Sequence, residues 1–295
     1  MTDNKCIFLS LESTDYFYNQ AKLLLFSLRK YGGLLKDSFV FACVNDGGLS
    51  SERINFLETN FKPIKVVQGK YRHSGYRLGR LARKYNFLDY FDMVNDFDRF
   101  IFLDSDILIG EDFTEILKPQ LHKSFAARAS GPNRGPHVDN YDDLLLNNFN
   151  LDTKTVDHLK ETWKTERSTN ILPHFNTGFL MVDRFGLECM SKYIFPYLKK
   201  CRNLFCDGFL KTEEWNREQT ALSLVAITEI KNLGTLDIHW GGPVLYHNFK
   251  AEFGTLHYEN PNDPLILSDY PKRKNTNFHY ISKIVKEFND EYPGQ

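Results

Sequence analysis

The chain has 295 residues, of which 42% are hydrophobic and 25% are charged, and its 37 Lys and Arg residues nearly balance its 38 Asp and Glu residues. This composition is typical of a globular protein with a substantial core, so intrinsic disorder, collagen and coiled coil are excluded as the main state. The formal net charge of -1 argues against a dedicated nucleic-acid-binding protein, which usually carries an excess of basic residues.

The first hundred residues alternate between strand and helix patterns. Apolar runs predict strands over residues 6–11, 38–44, 64–67 and 99–103, and apolar residues at helical spacing predict helices over residues 15–31, 51–60 and 76–91. Gly32 and Gly33 end the first helix, and a serine caps the second. Such alternation predicts an α/β fold with a Rossmann-like, mostly parallel central sheet flanked by helices. Ligands of such sheets lie at the carboxyl ends of the strands, which brings residues 11–15, 45–48 and 104–106 to one edge.

The second half of the chain is less regular. Residues 130–150 contain several Gly and Pro residues and predict a long connection or lid, not a domain boundary. A further strand is predicted over residues 175–182 and helices over residues 187–200 and 213–231, whereas the last third shows no clear pattern.

The sequence also carries expectations about compartment. The five cysteines are odd in number, scattered and without a CxxC pair, which indicates reduced thiols. We see no signal peptide and no run of about 20 apolar residues, the length that a membrane helix needs. We therefore expect a cytoplasmic protein without a transmembrane segment.

Two aspartates end the most apolar strand of the chain. Asp104 and Asp106 lie two residues apart, so on a strand their carboxylates point to the same side. Two neighbouring carboxylates repel each other, and a bound Mn²⁺ or Mg²⁺ would remove that repulsion through the oxygen ligands that these ions prefer. The alternative is a solvated turn at the end of the strand.

Residues 98–109 resemble the DxD strand of nucleotide-sugar glycosyltransferases of the GT-A fold, and residues 8–15 resemble their first strand and nucleotide loop. Residues 174–182, with Asn176, Thr177 and Gly178, are similar to the "FN-S/T-G" strand of the retaining family that contains glycogenin and bacterial lipopolysaccharide galactosyltransferases. Residues 217–222 resemble the "DQ..L" helix start of that family. The four motifs occur in the family's order, and this order is more specific than any one motif.

The resemblance implies a single GT-A catalytic domain over residues 1–295, with a nucleotide-binding half at residues 1–110 and a donor-sugar and acceptor half at residues 111–295. It also implies transfer of a sugar, with retention, from a nucleotide-diphosphate sugar, with UDP favoured, to a glycan, lipid-linked or protein acceptor that the sequence does not identify.

The resemblance implies roles for individual residues. The nucleotide is expected to contact Leu11, Ser13, Thr14, Asp104 and Ser105, with Arg77, or Arg80 nearby, facing the sugar nucleotide. The donor sugar is expected to contact Asn176 and Gly178, and the anomeric carbon to lie near Glu218 and Gln219. The chain departs from the family pattern at Glu218, where the family usually has Asp.

The metal ligands implied by the resemblance are Asp104, Asp106 and a histidine near the C-terminus. Residues 277–283 are an altered version of the family's "HFxGxxKPW" segment and favour His279, with His247 as the rival. Lys283 or Lys286 would supply a cation for the phosphates.

Two other functions share some of these features. A phosphatase of the haloacid dehalogenase type also has an apolar strand that ends in DxD, with the first Asp as nucleophile. A catalytically inactive sugar-nucleotide-binding protein would explain Glu218 and the altered C-terminal segment. The absence of GxGxxG after the first strand argues against a Rossmann dehydrogenase, and the absence of GxSxG argues against a serine hydrolase of the α/β-hydrolase type.

Overall fold

A computed structural model describes residues 4–45, 47–68, 85–105, 107–129, 137–138, 141–162, 174–206, 210–211, 217–236, 245–246 and 276–294. The first half contains strands β1 (Lys5–Glu12), β2 (Phe39–Asn45), β3 (Ile64–Gln68), β4 (Arg99–Asp104), β5 (Leu108–Ile109) and β6 (Phe125–Ala129). Its α-helices are α1 (Asp15–Tyr31), α2 (Ser51–Asn60) and the short α3 (Thr114–Leu117). Helical turns of 3-10 type cover Gly33–Leu35, Asn86–Val94 and Lys118–Gln120.

The second half contributes strands β7 (His137–Val138), β8 (Phe175–Asp183), β9 (Leu210–Lys211), β10 (Leu233–Thr235) and β11 (Leu245–Tyr246). Its α-helices are α4 (Tyr141–Asp143), α5 (Thr153–Thr162), α6 (Arg184–Cys206), α7 (Arg217–Val225) and α8 (Thr276–Glu291). π-helical turns at Leu144–Asn148 and Ala226–Ile230 continue α4 and α7.

Seven strands form the central sheet in the order β10-β6-β8-β4-β1-β2-β3. Strands β1, β2, β3 and β4 run parallel, and β8 runs antiparallel to both of its neighbours, β4 and β6. The predicted α/β fold with a mostly parallel sheet is therefore confirmed. Because β8 is reversed, its amino end lies at the same edge as the carboxyl ends of β1, β2 and β4.

Each face of the sheet carries its own hydrophobic cluster. Alternate residues of β1 point to opposite faces, with Ile7 and Leu9 under α1, α2 and α8, and Cys6 and Phe8 under α6 and α7. Helices on both faces explain why these strands are apolar throughout.

Local sequence signals account for the helix ends. Helix α1 begins after Thr14, whose Oγ1 accepts a hydrogen bond from Phe17 N, and it ends at Gly32. Helix α2 begins after Ser50, whose Oγ accepts from Arg53 N. Both helices have the predicted bounds.

Two expectations need correction. Residues 141–148 are helical, not part of a loop, because Leu144 and Leu145 are buried in the core. A helix was predicted over residues 76–91. Its residues 86–91 form 3-10 turns in place of an α-helix, and its residues 76–84 lie outside the described part.

The cysteines are free thiols, as the sequence indicated. All five cysteines fall among the described residues and none forms a disulfide. Across the described helices, none combines the length and apolarity needed to cross a bilayer.

Candidate functional site

Polar side chains replace the apolar ones where three neighbouring strands end. In the sheet register Ser10 of β1 pairs with Asp104 of β4, and Glu12 pairs with Asn45 of β2. The buried Asn45 Nδ2 donates a hydrogen bond to Ser10 Oγ over 3.0 Å. The predicted meeting of residues 45 and 104 at one edge is therefore present.

The turn after Asp104 is fixed by hydrogen bonds to the backbone and to α1. Ile107 N donates to Asp104 O over 3.2 Å, which closes the turn. Ser105 Oγ donates to Gln20 Oε1 of α1 over 3.2 Å, and both residues are buried. The Ser105 hydroxyl is thus engaged inside the protein, whereas the Asp104 side chain is half-buried at the edge. Asp106 lies outside the described residues.

The beginning of β8 lies beside Asp104. Leu103 pairs with Phe179, so the preceding residue Gly178 is next to Asp104 along the antiparallel register. Gly178 N donates to Asn176 Oδ1 over 2.8 Å, so this backbone donor and this amide oxygen satisfy each other. Asn176 and Gly178, which the resemblance assigns to the donor sugar, therefore lie together at the beginning of β8 at the same edge.

The first turn of α7 is fastened to β8 by two side chains. Thr177 Oγ1 donates to Glu218 Oε1 over 3.3 Å. Ser223 Oγ accepts from Phe175 N at 2.7 Å and donates to Gln219 O at 2.6 Å. Glu218 and Gln219 are half-buried next to the start of β8.

Tyr85 lies within electrostatic range of the two acidic side chains of this edge, Asp104 and Glu218. It is fully buried in the cluster that contains Phe41 and Phe102. Burial raises the pKa of Tyr85 well above its usual value, and the negative charges of Glu218 and Asp104 raise it further. Both carboxylates therefore act electrostatically on one buried phenol.

The loop after β1 is largely occupied with local structure. The Leu11 side chain is in the hydrophobic core, and Thr14 caps α1, so a nucleotide contact by Leu11 would use its backbone. Ser13 is half-buried, and a Cβ at Gly47 would lie 3.8 Å from Ser13 Oγ, so the loop after β2 lies beside it.

The glycines of that second loop are required by its backbone. Gly47 and Gly48 have φ angles of 87° and 75°, a region that glycine adopts without strain. A Cβ at Gly48 would also lie 2.2 Å from Gln68 Oε1. Neither position therefore accepts a larger residue without rearrangement of the loop.

The structure places Lys283 away from this edge. Its Nζ lies 5.3 Å from the ring centroid of Tyr31, the last residue of α1. Helix α1 spans about 25 Å at 1.5 Å per residue, and its other end is the one near the site. Apolar packing explains this position, because α8 runs antiparallel to α1 and sets Phe288 against Phe26.

The same packing bears on His279, whose side chain lies outside the described residues. In the backbone of α8 it precedes Lys283 by one helical turn, on the side away from Phe288. The structure therefore does not bring Lys283 or this helix position to Asp104. Arg77, Arg80 and His247 lie outside the described residues, and Lys286 is an exposed residue of α8.

The chemistry of the described edge fits a hard divalent cation. Carboxylate oxygens are the ligands that Mg²⁺ and Mn²⁺ prefer, and the half-buried Asp104 offers such oxygens at this edge. Among the described residues, no three His, Cys, Asp or Glu side chains gather as a complete metal site. Asp106 and the two candidate histidines are not part of that set.

Sequence reasoning missed four side chains of this edge: Ser10, Gln20, Tyr85 and Thr177. One of them had a readable signal, because Ser10 is a polar residue near the end of an apolar strand. Gln20 stood out only as a polar residue among apolar helix positions, and nothing in the sequence pattern marked Tyr85 as a neighbour of two carboxylates.

No family model and no curated protein matches this sequence. Among solved structures, the chain resembles the galactosyltransferase LgtC, in complex with donor and acceptor sugar analogs, with 13% identity, 78% of this chain and 72% of that chain covered, and a TM-score of 0.48. It also resembles the glycosyltransferase GlyE of Streptococcus pneumoniae TIGR4 at 14% identity and a TM-score of 0.46, with 99% of this chain and 64% of that chain covered.

A third resemblance is to core-mannan synthase A of Aspergillus fumigatus in its Mn/GDP form, at 9% identity and a TM-score of 0.46, with 79% of this chain and 72% of that chain covered. The matched part of this chain spans less than two thirds of GlyE. With TM-scores below 0.5, these likenesses do not define the function of this chain.

Proposed function

We propose that this chain is a metal-dependent glycosyltransferase that moves a sugar from a nucleotide-diphosphate sugar, with UDP as the nucleotide, to an acceptor hydroxyl. The observation that carries the proposal is the convergence of Asp104, residues Asn176–Gly178 of β8 and Glu218 at one sheet edge. These residues come from separate parts of the sequence, and they are the positions that the resemblance assigns to nucleotide, donor sugar and anomeric carbon.

The proposed reaction breaks the bond between the anomeric carbon and the diphosphate oxygen, and the nucleoside diphosphate leaves with the electron pair. The acceptor hydroxyl bonds to the anomeric carbon, and its proton passes to the leaving diphosphate. In our proposal the product retains the anomeric configuration of the donor.

Glu218 is suited to the side of the sugar where positive charge develops. A carboxylate next to an oxocarbenium-like carbon stabilises it electrostatically, as in glycoside hydrolases. The hydrogen bond from Thr177 restricts the rotamers of Glu218 and supports this assignment. The Gln219 amide in α7 and the Asn176 amide in β8 would orient the sugar hydroxyls.

Asp104 and Asp106 would hold Mn²⁺ or Mg²⁺, which when bound offsets the charge that develops on the leaving diphosphate. For the third ligand we favour His247 over His279. His247 follows Tyr246 directly in the chain, and Tyr246 pairs with Leu108, four residues after Asp104. Since Lys283 packs on Tyr31, we assign the phosphate contact to Arg77 or Arg80 in place of a C-terminal lysine.

The experiment that tests the proposal is a thermal-shift titration of UDP-glucose, UDP-galactose and GDP-mannose with Mn²⁺ and with EDTA, followed by an assay for nucleoside diphosphate release. We expect a UDP-sugar to raise the melting temperature only with the metal, because a ligand that binds the folded state stabilises it. We also expect slow metal-dependent release of UDP.

The possible results separate the rival functions. Release of inorganic phosphate from a monoester, with no effect of any sugar nucleotide, would support the phosphatase. Metal-dependent binding of a UDP-sugar without hydrolysis, and without transfer to any of a panel of acceptors, would support an inactive binding protein.

A further inference from the structure

Two buried side chains that are polar and uncharged interrupt the apolar surface of α1. Gln20 and Ser27 are 4% and 0% exposed, in a helix segment where the other buried residues are mostly Leu, Ala and Phe. They lie seven residues apart, which is close to two helical turns, so they share one face of the helix. Polar groups placed this deep normally have a specific partner.

Both side chains bind the segment that follows Asp104. Gln20 Oε1 accepts the hydrogen bond of Ser105 Oγ at 3.2 Å. Ser27 Oγ accepts from Ile109 N at 3.1 Å and donates to Leu24 O at 2.9 Å. Helix α1 thus holds the segment at its first and last residues, and the turn hydrogen bond from Ile107 N to Asp104 O lies between them.

The Gln20 amide is held at a cost in free energy. Among the described residues, its Nε2 has no hydrogen-bond partner although it is buried. A leucine or methionine at this place would bury no such donor. Stability alone therefore does not explain a glutamine here, whereas its contact with Ser105 does.

We propose that Gln20 and Ser27 are positioning residues that fix the turn from Asp104 to Ile107 in the geometry that binds the cation and the diphosphate. The proposal rests on the proposed function. It adds that two residues without contact to the metal, Gln20 and Ser27, set the affinity for the metal. Gln20 acts through Ser105, which reassigns Ser105 from a nucleotide contact to a link between α1 and the turn.

A double-mutant cycle of Gln20→Met and Ser105→Ala tests this assignment. Mn²⁺ affinity is measured in the presence of UDP from the electron paramagnetic resonance signal of free Mn²⁺, and the melting temperature of each variant is recorded. Loss of a residue that orients a metal ligand typically weakens metal affinity about 10- to 100-fold, so we expect about 10-fold for each single variant. The double variant is expected to bind no more weakly than either single variant, because both remove the same hydrogen bond.

A matched control separates positioning from general destabilisation. Tyr197→Phe removes hydrogen bonds to Thr228 and Glu229 on the other face of the sheet. It should lower the melting temperature and leave the Mn²⁺ dissociation constant unchanged. Should Gln20→Met fail to fold, the cycle of Ser27→Ala with Ser105→Ala replaces it, and weakened Mn²⁺ binding in both single variants is then expected.

Unchanged Mn²⁺ affinity in a folded Gln20→Met protein, or fully additive losses in the first cycle, would overturn the positioning role. Failure of the unmodified chain to bind Mn²⁺ with UDP is a different result, because it removes the proposed function and this inference together.

Discussion

The hydroxyl of Thr177 in β8 donates a hydrogen bond to the carboxylate of Glu218 in the first turn of α7, at 3.3 Å. Thr177 is buried and Glu218 is half-buried, so the bond joins the inside of the sheet to the edge of the site. This contact holds the Glu218 carboxylate against the beginning of β8.

Thr177→Val removes this hydrogen bond at nearly constant volume. A hydrogen bond of this kind contributes about 1 kcal/mol, so we expect kcat for UDP-sugar hydrolysis or transfer to fall about fivefold. Thr228→Val is the control, because Thr228 is also buried and bonded, at 2.7 Å, to Tyr197 away from the edge. Equal kcat values in the two variants would show that Thr177 does not orient Glu218.

Asp104→Asn tests the acidic end of β4. The amide keeps the shape of the side chain but removes its charge, so we expect metal-dependent UDP-sugar turnover to fall on the order of 100-fold. Asp98→Asn is the control, because Asp98 is an exposed carboxylate just before the same strand, at the opposite edge. Retained metal-dependent turnover in Asp104→Asn would contradict the assignment of this carboxylate.

The elements that were predicted accurately are those whose ends carry local signals. Helices α1 and α2 have a Thr or Ser cap, and a glycine ends α1, so their bounds follow from short-range chemistry. The strands of the central sheet followed from their length and apolarity, because burial on both faces leaves few polar residues in them.

The predictions that failed depend on long-range packing. The Gly and Pro residues at 131–136 led to the prediction of a loop over residues 130–150. Leu144 and Leu145 of that segment join the core only through contacts with distant elements. The position of α8 is set by Phe288 against Phe26 and Lys22, which no local spacing specifies. Contacts such as those of Gln20 and Tyr85 likewise require the fold before they can be recognised.

Arg29, near the C-terminal end of α1, binds the backbone segments that precede β2 and β3. Its guanidinium donates to the carbonyl oxygens of Lys36, Ser38, Phe61 and Pro63, at 2.6, 2.9, 3.0 and 2.8 Å. Arg29→Lys keeps the charge but cannot reach four acceptors in this planar arrangement, so we expect the free energy of unfolding to fall by about 2–3 kcal/mol.

Denaturant unfolding measures this effect, with Arg53→Lys as the matched change. Arg53 forms a partly exposed ion pair with Asp15, at 2.5 Å, which lysine can also form. We therefore expect Arg53→Lys to change stability by less than about 0.5 kcal/mol. Similar losses in the two variants would mean that the carbonyl contacts of Arg29 contribute little.

Lys22 makes the stability of the chain depend on pH. Its Nζ lies 4.8 Å from the ring centroid of Tyr18, inside the packing of α1 against α2 and α8. Burial, and to a smaller extent the positive charge of Arg53, lower the pKa of Lys22 to about 8, with Asp15 opposing the shift. In the unfolded chain a lysine has a pKa near 10.4, so between these two values the unfolded state binds more protons than the folded state.

Stability contributed by Lys22 therefore rises with pH from about 8 to about 10, by up to about 1.4 kcal/mol per pH unit, and is constant below that window. Lys22→Met lacks the titrating group. Urea unfolding of both proteins at pH 7.5, 8.5 and 9.5 should show the wild-type chain gaining stability relative to Lys22→Met, since the titrations of other groups are common to both. Parallel stability curves across this range would mean that Lys22 titrates near its ordinary value in the folded chain.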